Sequence, residues 1–158
     1  MEFSGDELAG VVDLFGALSR SELCEALAEL TYREGGEYEP DSFIDSISAA
    51  VDSYHLVAVD GDHVGLDGEV LVAGPGAFPM LPPGAGDIPH MLDIDPRPID
   101  RETAGRAVLK RFRADAATVV DEGNPARVEQ LLDVSYELES WTDVDLAEER
   151  ELLDRVLG

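Results

Sequence analysis

The chain's three histidines are His55, His63 and His90, and two of them stand near carboxylates: "HLVAVDGDH" places Asp60 and Asp62 beside His63, eight residues after His55. If His55 and His63 occupy neighbouring strands, the set could hold a divalent cation weakly, because imidazole and carboxylate are both common metal donors. A chain with 35 acidic residues also puts carboxylates beside a histidine by chance, so the sequence assigns no metal and no cofactor. Other chemistry lacks its motifs. There is no G-x-S-x-G elbow, no G-x-G-x-x-G loop opening a helix and no G-x-x-x-x-G-K phosphate cradle. Asp93 and Asp95 stand two apart with nothing to raise a pKa. The reading is non-enzymatic, with His90 packed in the segment around it.

The second chemical signal is basic. "AVLKRFRADAA", residues 107–117, holds the only lysine, and at 100° per residue Arg106, Lys110 and Arg113 share one helical stripe beside the apolar face of Leu109, Phe112, Ala116 and Val119. Such a stripe can contact phosphates. The bases are few, no aromatic residues interleave with them to stack on bases, and binding by counterion release collapses as salt rises. The expectation is that they dock on acidic surface elsewhere in the fold, which residues 1–73, with only Arg20 and Arg33 as bases, supply in plenty. Nucleic acid is the minority partner.

Charge sets the setting of these residues. Thirty-five acids against 11 bases give a net charge of −24, spread along every segment, and ten of the 11 bases are arginine. Dispersed acid with almost no lysine fits a protein working in concentrated salt, where the Debye length falls to about 3 Å. No apolar run nears the roughly 20 residues that span a bilayer, and "MEFSGDELAG" lacks the basic start of a secretion signal, so the reading is cytoplasmic, without a membrane role. One cysteine, Cys24, excludes an internal disulfide and a cysteine-built zinc site; it reads as a small, mostly buried apolar residue.

The elements that carry these residues are α+β, mostly α. Residues 1–73 read as three helices and a β-ribbon. "SGDE" and "SRSE" have capping-box form and open helices that stop at Gly16 and at Gly35-Gly36. Pro40 opens a third, with Phe43, Ile44, Ile47, Val51 and Tyr54 on its apolar stripe. "HLVAV", "DHVGL" and "EVLVA" are β-type runs split by Asp60-Gly61 and Asp67-Gly68. This order of elements resembles a winged helix. Its reading helix would then be the third, which carries Asp41, Asp45 and Asp52 and no Arg or Lys, so the resemblance implies a frame turned to protein contacts rather than to DNA.

Residues 74–98 form a Pro/Gly-rich strap. Its bulky apolar residues, Phe78, Met80, Leu81, Ile88, Met91, Leu92 and Ile94, predict an ordered segment lying on both halves, with its apolar side chains buried. Residues 99–158 predict three helices: one from the cap Asp100 to Glu122 closed by Gly123, one from Asn124-Pro125 to Trp141, and one capped by "TDVD".

"ELAGVVDLFGALSRSEL" and "DIPHMLDIDPRPIDRE" resemble an uncharacterised family of small acidic proteins of halophilic archaea. The resemblance implies no activity and transfers no site residue. The function expected is a protein-interaction or regulatory module that binds a protein partner or another copy of itself. An exposed apolar patch is expected around Phe78, Met80 and Leu81 or on the last helix. The alternative is a DNA-binding transcriptional regulator.

Overall fold

A computed structural model describes residues 3–37 and 39–158 of the chain. It divides into two compact units, Met1–Ile99 and Asp100–Gly158. The fold is α+β and mostly helical.

The first unit opens with α1 (Gly5–Phe15) and α2 (Arg20–Arg33). Both begin with a full capping box, in which Ser4 and Glu7, then Ser19 and Glu22, satisfy each other's backbone N–H groups. α3 (Pro40–Asp52) ends in a Schellman motif: His55 N–H reaches Ala50 O at 2.9 Å and Tyr54 N–H reaches Val51 O at 3.1 Å. The left-handed position, ordinarily a glycine, is Tyr54 at φ 64°. Its ring is fully buried, and that burial offsets a conformational cost of about 1 kcal/mol. Tyr54 thus leaves the stripe of α3 yet joins the interior, whereas Ile44, expected inside, is 53% exposed.

β1 (Leu56–Asp60) and β2 (Glu69–Ala73) pair antiparallel, Leu56 opposite Ala73 and Asp60 opposite Glu69. Leu18, between α1 and α2, adds a bridge to Leu71 with hydrogen bonds in both directions, 3.1 and 2.7 Å. "DHVGL" is not a strand. Asp60 accepts Asp62 N–H at 2.9 Å and Gly61 N–H reaches Gly68 O at 2.7 Å, so Gly61–Val64 winds into a 3-10 turn and the two Asp-Gly pairs belong to one wide connection. Leu8, Val12, Phe15, Leu27, Phe43, Ile47, Leu56 and Leu71 are central to the core of this unit.

The second unit is α5 (Arg101–Glu122), α6 (Pro125–Trp141) and α7 (Ala147–Leu157), packed pairwise on one another. Asp100 caps α5, Gly123 at φ 68° ends it, and Asn124 caps α6. The "TDVD" cap does not form from Thr142; only Asp145 of the motif meets the start of the helix. The carboxylate of Glu139 accepts Leu146 N–H at 2.8 Å and Asp145 accepts Ala147 N–H at 3.0 Å, so α7 starts at Ala147. Arg150 donates to Glu139 at 2.7 Å and lies over Tyr136 at 4.4 Å. Those hydrogen bonds, then the one from Leu146, hold the Glu139 carboxyl below the usual carboxylate range.

Candidate functional site

The strap leaves β2 through two close approaches. Gly74 N–H donates to His55 O at 2.8 Å and Gly76 N–H to Tyr54 O at 2.9 Å; a Cβ on Gly74 would lie 2.4 Å from Tyr54 O. It then crosses α1 with its backbone held. Phe78 N–H donates to Asp6 Oδ1 at 2.9 Å and Met80 N–H to Asp6 O at 3.0 Å. A Cβ on Gly10 would sit 1.9 Å from Met80 O, so only glycine in α1 admits the strap this closely.

With the backbone turned inward, the side chains turn out. Phe78 is 80% exposed, Met80 55%, Leu81 52% and, further along, Met91 41%, so the expected burial fails for these four. The strap is held instead by Ala85 and Ile88, both fully buried, and by the partly buried Ala77, Leu92 and Ile94. Its short helix α4 (Ile88–Met91) packs on α2, and Arg33 pairs with Asp87 at 3.5 Å. His90 is exposed on α4 rather than packed in the strap, because Ile88 is the residue of that turn that faces inward.

At the far end Arg97 fastens the strap. Its N–H reaches Phe15 O at 2.6 Å and its guanidinium grips Glu22 with both terminal nitrogens, the second at 2.7 Å. Glu22 already serves the cap of α2 through Ser19 N–H, so one carboxylate joins strap to helix. The Arg97 hydrogen bond holds the Glu22 carboxyl below its usual value, against an opposing contribution from burial. A depressed carboxyl stabilises the fold above the unfolded glutamate value of about 4.3 and loses that contribution as pH falls through the folded value. Arg97→Ala is therefore expected to cost about 2 kcal/mol at neutral pH, measured by urea unfolding. The gap to wild type should narrow as the medium is acidified below about pH 4.

Beneath the strap, Ser53 Oγ lies 2.6 Å from His55 Nδ1, and His55 Nε2 lies 3.6 Å from Asp6 Oδ1. The residue types suggest a nucleophile relay; the geometry describes a brace. Ser53 Oγ sits within hydrogen-bonding reach of Ala49 O and Ala50 O, at 3.0 and 3.2 Å, and Asp6 Oδ1 is spent on Phe78 N–H. The separation of His55 and Asp6 exceeds that of a hydrogen bond. His55 and His63 stand at opposite ends of the ribbon, one beside Gly74 and the other in the 3-10 turn, so they do not share a site.

The basic stripe also settles differently from expectation. Arg106 pairs with Glu102 at 3.1 Å, Arg113 with Glu149 at 3.1 Å and Arg111 with Asp115 at 3.4 Å. These acids belong to the same helical unit, not to residues 1–73. Lys110 is exposed. The sequence reading missed the strap contacts of Asp6 and Gly10. A pair of glycines flanking the apolar run "VVDLF" was the available signal, since glycine inside or just after a helix marks a close neighbour.

The fold and site define a small α+β domain whose exposed apolar residues ride on a clamped strap. The chain belongs to the family of unknown function DUF7109, whose pattern matches residues 6–158. No curated protein and no solved structure matches it. Among the described residues no helix is long and apolar enough to cross a membrane.

Proposed function

We propose that this chain is a non-enzymatic protein-interaction module in which Phe78, Met80 and Leu81 form the docking face. The observation that carries the reading is the pairing of exposed apolar side chains with a backbone hydrogen-bonded to Asp6. A large apolar patch presented on a fixed backbone binds without the entropy loss of ordering a loop, and aromatic and methionine side chains are favoured interface anchors.

The partner this face fits is an apolar pocket rimmed by Arg or Lys. Residues 1–99 carry Arg20, Arg33 and Arg97 as their only bases against acids in α1, α2, α3 and both strands, so a basic rim is drawn to this unit and an acidic one is repelled. α1, the Leu18 bridge, α2, α3 and the β1–β2 ribbon follow the order of a winged helix, which supports that frame. The exposed side of α3 carries Asp41, Asp45 and Asp52, which supports protein over DNA as the ligand. Dispersed acid and scarce lysine support a cytoplasmic setting of concentrated salt.

The test uses two synthetic amphipathic helices with the same leucine face, one flanked by arginine and one by glutamate, titrated against the full chain at about 0.3 M KCl, where charge still acts over several ångströms. The arginine-flanked peptide is expected to bind wild type, and Phe78→Ser/Met80→Ser/Leu81→Ser to bind it at least about 100-fold more weakly. Equal binding by the triple variant, or preference for the glutamate-flanked peptide, overturns the reading.

A further inference from the structure

We propose that α5 is the seat of a second copy of this chain, the two copies pairing antiparallel about a two-fold axis at Ala117. This surface is separate from the strap, and the inference does not rest on the function proposed above.

The first observation is an open apolar groove of about 450 Å³ between α5 and α7, floored by Ala116, Ala117, Val120 and Leu152. Val120 is 37% exposed and Leu152 47%, while Val108, Phe112, Ala116 and Val119 on the inward face of α5 are buried. The groove is bounded by Arg113 and Glu149 at one end and Asp121 at the other.

The second observation is the charge pattern of α5. Its stripe carries Arg106, Lys110 and Arg113 in the N-terminal half, whereas its last turn has Asp121 and Glu122 and no basic residue. The helix macrodipole acts on the first and last turns: Asp100 and Glu102 suit the N-terminus, whereas Asp121 and Glu122 stand at the end that favours bases. The helix alone therefore gives no reason for the acids of its last turn. A second, antiparallel copy does.

Positions 106, 110, 113, 117 and 121 advance by three or four and lie along one face of α5. Arg113 and Asp121 are equally far from Ala117 in sequence, and so are Ala114 and Val120. A two-fold axis through Ala117 sets Arg113 of each copy against Asp121 of the other and gives each Val120 a small residue, Ala114, to cover it. Ala117, exposed and without bulk, lets the helices approach at the axis. The same patch serves both copies, which is what a closed two-fold interface requires. An unrelated ligand would have to match a basic end and an acidic end at this spacing; α5 matches itself. The Arg106–Glu102 pair is exposed on both sides and exchanges partners at little cost, whereas Arg113, itself exposed, can keep Glu149, which is mostly covered, while it meets Asp121 of the second copy.

The test is sedimentation equilibrium of the full chain at about 0.3 M KCl, where charge still acts over several ångströms. Wild type is expected to reach twice the 17.0 kDa chain mass. Arg113→Asp and Asp121→Arg should each weaken the dimer about tenfold, and the double swap should restore it to within about threefold of wild type, because both cross-axis pairs re-form with signs exchanged. Ala117→Glu, which sets two like charges at the axis, should abolish it, with helix content by circular dichroism unchanged. A mass of one chain at every concentration up to about 100 µM overturns the proposal. So does a double swap no tighter than the single variants, or a dimer that persists in Ala117→Glu and is lost in the strap triple variant.

Discussion

Gly10→Ala is expected to lower stability by about 2 kcal/mol, although alanine is the better helix former by about 1 kcal/mol. The reason is spatial. The added carbon would lie 1.9 Å from the carbonyl oxygen of Met80 and 2.5 Å from its carbonyl carbon, and both belong to backbone that cannot rotate away. The strap must lift, and lifting it breaks the bonds from Phe78 and Met80 N–H to Asp6. Urea unfolding of the variant reads the loss, and Gly35→Ala is the contrast: no atom lies within 4 Å of its Cβ, so any penalty there comes from its φ of 79° alone. A Gly10→Ala protein as stable as wild type would mean that the strap does not lie on α1.

The second large effect falls in the helical unit. Phe112 is the largest fully buried side chain of α5, and Phe112→Ala removes apolar contact and leaves a cavity in a unit spanning only Asp100–Gly158. Such changes cost about 3 to 5 kcal/mol, comparable to the whole stability of a small helical unit. The expected result is that amide protection across α5, α6 and α7 falls to the level of an open chain at room temperature. Retained protection there would contradict the burial on which the packing of these helices rests.

What the sequence revealed and what it hid follow from the range of the interactions. Capping boxes at Ser4 and Ser19, the stops at Gly16 and Gly123, and the starts at Pro40 and Pro125 are contacts within four residues, and each formed as read. Local rules failed where a distant group took the local donor. "TDVD" does not close a box from Thr142: its last residue, Asp145, takes Ala147 N–H, and Glu139, seven residues before Leu146, takes the N–H before it. "DHVGL" lost its strand because Gly61 closed on Gly68. Tyr54 read as a helical residue, yet it ends α3 in a glycine-like conformation held by the burial of its ring.

The site was legible as a list and not as a geometry. Phe78, Met80 and Leu81 were marked by bulk in a proline-rich segment, but the partner that orients them, Asp6, lies 72 residues from Phe78 and looks like any other acid of the first helical turn. Arg106, Lys110 and Arg113 read correctly as one stripe. Their nearby acids, Glu102 and Glu149, were hidden among 35, and the composition drew attention to the wrong segment.

The central claim is that exposed apolar side chains stand on a fixed backbone, and residue-resolved amide hydrogen exchange at positions 78 and 80 tests it most directly. The account predicts that these two amides exchange about 10³-fold more slowly than in an open chain, despite the exposure of their side chains, because one donates to the Asp6 carboxylate and the other to the Asp6 carbonyl. Asp6→Ala should release Phe78 first. Exchange at open-chain rates in the wild-type protein would contradict the account, because the three side chains would then belong to a mobile loop with no preformed face to offer.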